Sequence, residues 1–134
     1  MRFPASGFLA VILGLLAVLH VYWAFGGRWG LEAAVPRVGG KAVFEPGRAA
    51  CLGVAFLLAI GLGVSVSAAF DPWYRTSTLR LMALVFALRA VGDFRYVGFF
   101  KSVRDSRFAY WDTRLHSPLC ALLAALATIA SVAP

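Results

Sequence analysis

Charged side chains are scarce in this chain of 134 residues. Only 14% of the residues are Asp, Glu, Lys or Arg, while 61% are hydrophobic and the mean hydropathy is +0.81. Soluble domains carry about 25% charged residues. A soluble domain of this size could not bury so much apolar surface, whereas lipid can cover it. The composition therefore predicts an integral membrane protein and excludes an ordinary soluble fold.

Residues and motifs typical of metal and phosphate chemistry are also missing. The sequence has no Gly-rich phosphate loop, no nucleophile elbow and no metalloprotease signature. Its two histidines, His20 and His116, do not form H-x-x-H, and Cys51 and Cys120 do not form C-x-x-C. Two ligands alone make a poor zinc site, so we expect no metal. Both cysteines lie in apolar segments, which favours reduced packing residues over a disulfide.

Acidic residues are fewer than basic ones, six against thirteen, which gives a net charge of +7. The basic residues occupy the connections between apolar runs and form no separate domain. This distribution excludes a nucleic-acid-binding module and favours roles in membrane topology and in contact with anionic headgroups. We therefore expect membrane lipids as partners.

Four apolar runs predict four membrane-spanning helices in a single domain over residues 1–134. Their expected bounds are about 7–25, 49–69, 79–99 and 117–132. Arg2 precedes the first run as in a signal peptide, but no A-x-A-like cleavage site follows, so we expect a retained helix. Thr76 or Ser77 is expected to cap the third helix, and Ser117 with Pro118 to open the fourth. The connections favour an all-α, four-helix up-down bundle.

The basic residues are divided unequally between the two ends of this bundle. Nine accompany the first and third connections: Arg28, Arg37, Lys41, Arg48, Arg95, Lys101, Arg104, Arg107 and Arg114. Three lie at the opposite end: Arg2, Arg75 and Arg80. Because cytoplasmic loops carry an excess of Lys and Arg, the first and third connections are predicted to be cytoplasmic and both termini to lie outside.

The third apolar run contains Arg89 and Asp93, four residues apart, where side chains on one helix can pair. A lone arginine is costly inside a bilayer, and an ionised partner lowers that cost. One interpretation is a structural ion pair that fixes the register of the helix. The other, which we favour, is one wall of a polar site within the membrane.

Most of the remaining polar chemistry is predicted at the same, cytoplasmic end of the bundle. His20 lies near the end of the first helix, and Asp112 and His116 lie just before the fourth. The candidate catalytic residues are His20, Asp93 and His116. The candidate ligand-binding residues are Tyr22, Trp23, Arg89, Asp93, Tyr96, Asp112 and His116. For Tyr22 and Trp23, as for Trp111, an interfacial belt is the simpler interpretation.

Several segments together resemble a known family. They are His20–Gly27, Leu88–Phe94, Gly98–Lys101, Phe108–Asp112 and Ser117–Cys120. In this order they resemble the small bacterial membrane proteins called domain of unknown function 3995, over nearly the whole chain. The resemblance implies a four-helix, multi-pass protein of the bacterial inner membrane. It implies no assigned activity.

The sequence leaves several functions open. The first is binding of a small or lipid-like ligand in a polar pocket that faces the cytoplasm. The second is a membrane enzyme with His20 or His116 as acid–base, Asp93 or Asp112 as its orienting carboxylate, and Arg89 holding an anionic group. A bis-histidine haem or metal protein, an accessory subunit and a dimeric exporter are further alternatives, although the first helix lacks the carboxylate expected of an exporter. We expect no cofactor, and homo-oligomerisation stays open.

Overall fold

The computed structural model describes residues 3–67 and 69–133. The fold is all-α. Its four long helices are α1 (Phe3–Ala24), α3 (Arg48–Val66), α4 (Pro72–Val91) and α6 (Ser117–Val132). Between them lie a short helix α2 (Leu31–Ala34), a two-stranded hairpin of β1 (Arg37–Val38) and β2 (Lys41–Ala42), helix α5 (Arg107–Trp111) and a π-helical turn (Asp112–His116).

Three helical segments are long and apolar enough to cross a membrane. They are Pro4–Ala24, Arg48–Val66 and Arg107–Val132, the last of which includes α5, the π turn and α6. Helix α4 is not among them. Its 20 residues include Arg75, Arg80 and Arg89, which lower its hydropathy below that of the other long helices.

The long helices pack around a shared apolar core. Helix α1 packs against α3 and α6, and α4 packs against α6 and α3. The buried core residues are Leu9 and Leu13 of α1, Leu58 and Val64 of α3, Leu79 of α4, and Leu123, Ala127 and Ala130 of α6. Many large apolar side chains on these helices face outward, including Phe8, Leu15, Phe56, Leu57 and Val85.

Hydrogen bonds between helix ends define which ends lie together. Arg75, near the start of α4, donates to the carbonyl of Ser65 at the end of α3, to that of Ala130 near the end of α6, and to the hydroxyl of Ser6 near the start of α1. At the other end, Arg48 at the start of α3 donates to the carbonyl of Ala24, the last residue of α1.

Helix α4 begins and ends earlier than the apolar run suggested, at 72–91 instead of about 79–99. Asp71 caps it, since its carboxylate accepts from the backbone N–H groups of Trp73 (2.9 Å) and Tyr74 (3.4 Å), and Pro72 occupies the first turn. Neither Thr76 nor Ser77 is the cap. At the other end Gly92, with φ of 85°, leaves the helical conformation.

Helix α6 has the expected bounds, Ser117–Val132, but α5 and the π turn run into it without a break. The continuous helical segment begins at Arg107, where Ser106 is the cap and accepts from the N–H of Ala109 (3.1 Å). Pro118 is in the first turn of α6 as expected, but Ser117 is already helical and is not the cap. A proline removes one N–H donor and its ring clashes with the carbonyl four residues earlier, which widens or kinks a helix. Here the preceding turn is π-helical, and the N–H of Ser117 bonds to the carbonyl of Asp112, five residues earlier.

After α4 the chain makes a tight turn in which Gly92 and Gly98 approach each other. Both have positive φ angles, 85° and 89°. A Cβ atom on Gly92 would overlap the carbonyl oxygen of Val97, and one on Gly98 would overlap that of Val91. The N–H of Phe99 also bonds to the carbonyl of Ala90. Glycine is therefore required at both positions.

We predict that Gly98→Ala destabilises the fold by about 2 kcal/mol or more, because it combines a left-handed backbone with a backbone clash. Thermal unfolding in detergent would measure this. Gly53→Ala is the control: Gly53 is exposed within α3 and an added Cβ meets no atom within 4 Å, so this variant should be neutral or slightly stabilised. Equal melting temperatures for the two variants would contradict the close approach.

Candidate functional site

The side chain of Asp112 is completely buried and is the centre of a charged cluster. Its Oδ1 accepts from Arg89 Nη2 at 2.8 Å. Its Oδ2 accepts from Lys101 Nζ at 3.0 Å, from the backbone N–H of Gly98 at 2.8 Å and from Ser117 Oγ at 3.3 Å. Both oxygens thus have hydrogen-bond partners, as a buried carboxylate requires. We call Arg89, Lys101, Asp112, His116 and Ser117 the Asp112 cluster.

Lys101 is the least expected member of this cluster. Its side chain is fully buried, and its ammonium group also donates to the carbonyl of Gly98 at 3.0 Å and to the hydroxyl of Thr113. Sequence reasoning assigned Lys101 to membrane topology, because a lysine in a connection is usually solvated. The sequence feature that indicates a special role for Lys101 is its position in the segment Gly98–Lys101, one of the segments on which the family resemblance is based.

Asp93 shapes the turn that carries Gly98 to the cluster. Its Oδ1 accepts from the backbone N–H groups of Arg95 (2.9 Å), Tyr96 (2.8 Å) and Val97 (3.1 Å), within a turn where Phe94 has a φ of 64°. A small loss of hydration raises the pKa of Asp93, but the backbone donors lower it by more, so the pKa lies below its ordinary value. Asp93 itself is exposed.

The expected ion pair between Arg89 and Asp93 does not form. Because α4 ends at Val91, Asp93 is outside the helix and binds its own turn, while Arg89 binds Asp112 across 23 residues of sequence. The other guanidinium nitrogen of Arg89, Nη1, is buried and has no hydrogen-bond partner in the described part of the chain.

The charges of the Asp112 cluster do not balance. Two cations, Arg89 and Lys101, share one carboxylate, which leaves one positive charge in excess when His116 is neutral. His116 Nδ1 lies 3.9 Å from Asp112 Oδ1, beyond hydrogen-bond distance, and its ring packs on Phe108 with centroids 5.8 Å apart. The cluster is therefore cationic and adjoins a partly exposed imidazole.

Of the candidate site residues, the structure brings Arg89, Asp112 and His116 together and places the turn of Asp93 and Tyr96 next to them. Tyr96 stacks beneath the guanidinium of Arg95, at 5.0 Å from its ring centroid. In the described chain, Tyr96 makes no hydrogen bond and no ring contact with the Asp112 cluster.

The three candidates on α1 make a separate set of local contacts. His20 Nδ1 lies 2.7 Å from the carbonyl of Leu16, and its ring meets Trp23 edge-on at 5.1 Å. Trp23 Nε1 donates to the carbonyl of Trp29 (2.9 Å), and the hydroxyl of Tyr22 accepts from the N–H of Trp29 (3.3 Å). These aromatic residues anchor the loop that follows α1.

Within residues 3–67 and 69–133, no three His, Cys, Asp or Glu side chains come close enough to hold a metal ion. Four cavities of about 260 to 480 Å³ open on the surface, and none of these four is lined by Arg89, Asp112 or His116. The property that distinguishes the cluster is therefore its excess positive charge, and not an enclosed cavity.

Comparison with known proteins places these residues in a family context. A family described as "protein of unknown function (DUF3995)" matches residues 13–127, which include the whole Asp112 cluster. The chain belongs to this family. DUF3995 thus covers most of the chain, from α1 to α6. No curated protein and no solved structure matches the chain.

We predict that Asp112→Ala destabilises the protein by about 3–5 kcal/mol, because it leaves Lys101 buried without a counter-charge. The double variant Asp112→Ala/Lys101→Met should be less destabilised than the single one, since it removes the buried ammonium as well. Denaturant unfolding in detergent would measure both.

Glu32→Ala is the matched control. The carboxylate of Glu32 lies 3.7 Å from Arg107 and both side chains are exposed, so its loss should change stability by less than about 1 kcal/mol. An Asp112→Ala variant as stable as Glu32→Ala would refute the structural role of the buried carboxylate.

Proposed function

We propose that this chain is a multi-pass protein of the bacterial inner membrane that folds as a four-helix up-down bundle. Three apolar helices and the outward-facing apolar side chains support this arrangement. So do the hydrogen bonds of Arg75 and Arg48, which join alternate helix ends. Helix α4 is the fourth span. Arg75 and Arg89 lie toward its two ends, Arg80 is exposed near its middle, and the eight residues 81–88 between Arg80 and Arg89 are apolar.

In this arrangement the first and third connections face the cytoplasm. The connection between α1 and α3 carries Arg28, Arg37 and Lys41, and that between α4 and α5 carries Arg95 and Arg104 besides the buried Lys101. The connection between α3 and α4, residues 67–71, has no basic residue. The positive-inside rule then places both termini outside.

Single cysteines should report this orientation. In a Cys51→Ser/Cys120→Ser background, Arg104→Cys should react with a membrane-impermeant maleimide only in inverted vesicles, and Trp73→Cys only in spheroplasts. Both positions are exposed, so access depends on the side of the membrane. The opposite labelling pattern would show that the orientation is reversed.

We also propose that the Asp112 cluster binds a small anionic or lipid-like ligand at the cytoplasmic end of the bundle. The observation that carries this proposal is that two cations share one buried carboxylate while Arg89 Nη1 has no acceptor in the described chain. An uncompensated cation is costly in a medium of low dielectric. A carboxylate or phosphate would neutralise it and can pair with the guanidinium through two hydrogen bonds.

Binding is favoured over acid–base catalysis for a geometric reason. A catalytic histidine is held by a carboxylate within hydrogen-bond reach, whereas His116 is 3.9 Å from Asp112. His20, the other candidate base, bonds to a backbone carbonyl of its own helix. His116 is accordingly assigned to the rim of the ligand site.

Native mass spectrometry of protein gently extracted from its own membranes tests this binding. The wild type should retain a small anionic molecule. Arg89→Gln should retain at least about tenfold less of it, because the loss of one charge-assisted contact weakens binding by more than about 1.4 kcal/mol. Arg80→Gln, which removes an exposed arginine of the same helix, should behave as the wild type.

Arg89→Lys keeps the positive charge but lacks the planar guanidinium group. It should therefore retain more ligand than Arg89→Gln and less than the wild type. Melting temperatures of all variants show whether a loss reflects unfolding. A wild type that carries no molecule, or an Arg89→Gln variant that carries the same amount, would rule out this site.

A further inference from the structure

A second cationic site lies at the other end of the molecule, where the ends of all four long helices meet. A cavity of about 440 Å³ opens there. Apolar groups contribute to its lining, with Phe70 and Pro72 among them. Arg75 and the hydroxyl-bearing residues Ser6, Ser67 and Thr76 also line it. This site belongs neither to the Asp112 cluster nor to the function proposed above.

Arg75 is held there only loosely. Its guanidinium donates to Ser6 Oγ and to the carbonyls of Ser65 and Ala130, each at 3.4 Å, the long end of the hydrogen-bond range. All three acceptors are neutral. Within residues 3–67 and 69–133 no ion pair includes Arg75. Its charge is therefore uncompensated in the described chain, although the side chain is half-buried.

The nearest carboxylate in sequence, Asp71, is committed elsewhere. It is exposed and caps α4 by accepting from the N–H groups of Trp73 and Tyr74. Asp71 therefore fixes the start of the helix that carries Arg75, without pairing with it.

Hydroxyl groups around Arg75 add hydrogen-bond donors. Ser6 is buried, and its oxygen accepts from Arg75. The oxygen of Ser67 accepts from the N–H of Ala69 at 3.1 Å. In the described chain neither hydroxyl donates a hydrogen bond, and both residues line the cavity. Two such donors and a guanidinium without a carboxylate are the groups that bind an oxyanion.

We propose that this cavity binds a phosphate group, with Arg75 supplying the charge and Ser6 and Ser67 donating hydrogen bonds. A volume of about 440 Å³ is many times the roughly 30 Å³ that one water occupies in the liquid, so a phosphate and part of an attached chain have room. The phosphate belongs either to an anionic lipid or to free phosphate.

The surroundings fit a lipid source. Phe70 and Pro72 contribute apolar groups to the lining of the cavity, and Trp73 and Tyr74 are exposed at the same end. Aromatic side chains of this kind lie at the headgroup level of membranes. A lipid headgroup would enter from that level, with its acyl chains along the apolar outer face of the helices.

The full chain purified in a neutral detergent tests the proposal in three arms: phosphatidylglycerol, phosphatidylcholine and inorganic phosphate. Binding is measured by native mass spectrometry and by the shift in melting temperature. Phosphatidylglycerol should bind the wild type and Arg80→Gln alike, and Arg75→Gln at least tenfold more weakly. Phosphatidylcholine should not distinguish the three proteins. Arg104→Gln, which removes an exposed arginine at the other end of the molecule and outside the Asp112 cluster, should also bind as the wild type.

Inorganic phosphate identifies the source. If inorganic phosphate raises the melting temperature of the wild type but not that of Arg75→Gln, the site binds the free anion. If phosphatidylglycerol raises it and inorganic phosphate does not, the site binds the lipid. Equal phosphatidylglycerol binding by Arg75→Gln and wild type would overturn the proposal. If Arg75→Gln does not fold, the double variant Ser6→Ala/Ser67→Ala decides: unchanged binding overturns the site, and a several-fold loss supports it.

Discussion

The carboxylate of Asp112 is the interaction on which the arrangement of one end of this molecule depends. It ties the end of α4 through Arg89, the following turn through Gly98 and Lys101, and α6 through Ser117. A buried ionic group of this kind adds little net stability over a well-packed apolar one, but removal of a single partner is costly. Any other relative placement of these segments would separate at least one of these groups from the carboxylate, so the cluster favours the observed one.

The π turn explains how Asp112 reaches its partners. Pro118 cannot donate to the backbone, and the helix before it widens so that the N–H of Ser117 bonds to the carbonyl of Asp112. The side chain of Ser117 then reaches the carboxylate of Asp112, at 3.3 Å. A local irregularity that follows from one proline thus sets the position of the buried charge.

The sequence predicted the apolar helices α1 and α3 well, because hydropathy alone determines them, and it identified Arg89, Asp112 and His116 as a polar layer. It did not predict the partner of Arg89. The pairing rule for residues four apart assumes a continuous helix, whereas Gly92 ends α4 before Asp93. The buried position of Lys101 depends on a turn between two glycines, and no local pattern of charge or hydropathy encodes such a tertiary contact.

Helix α4 links the two ends of the molecule, and its packing explains why two of its three arginines, Arg75 and Arg89, are tolerated. Alone it is not apolar enough to be a candidate span, since Arg75, Arg80 and Arg89 lie within it. In the packed state Arg89 binds Asp112, which precedes α6, and Arg75 binds carbonyls of α3 and α6. These partners exist only after the other helices are in place. Within the proposed membrane arrangement, stable insertion of α4 therefore depends on its packing against α6, so the polar groups that weaken it as an isolated span fix its position in the bundle.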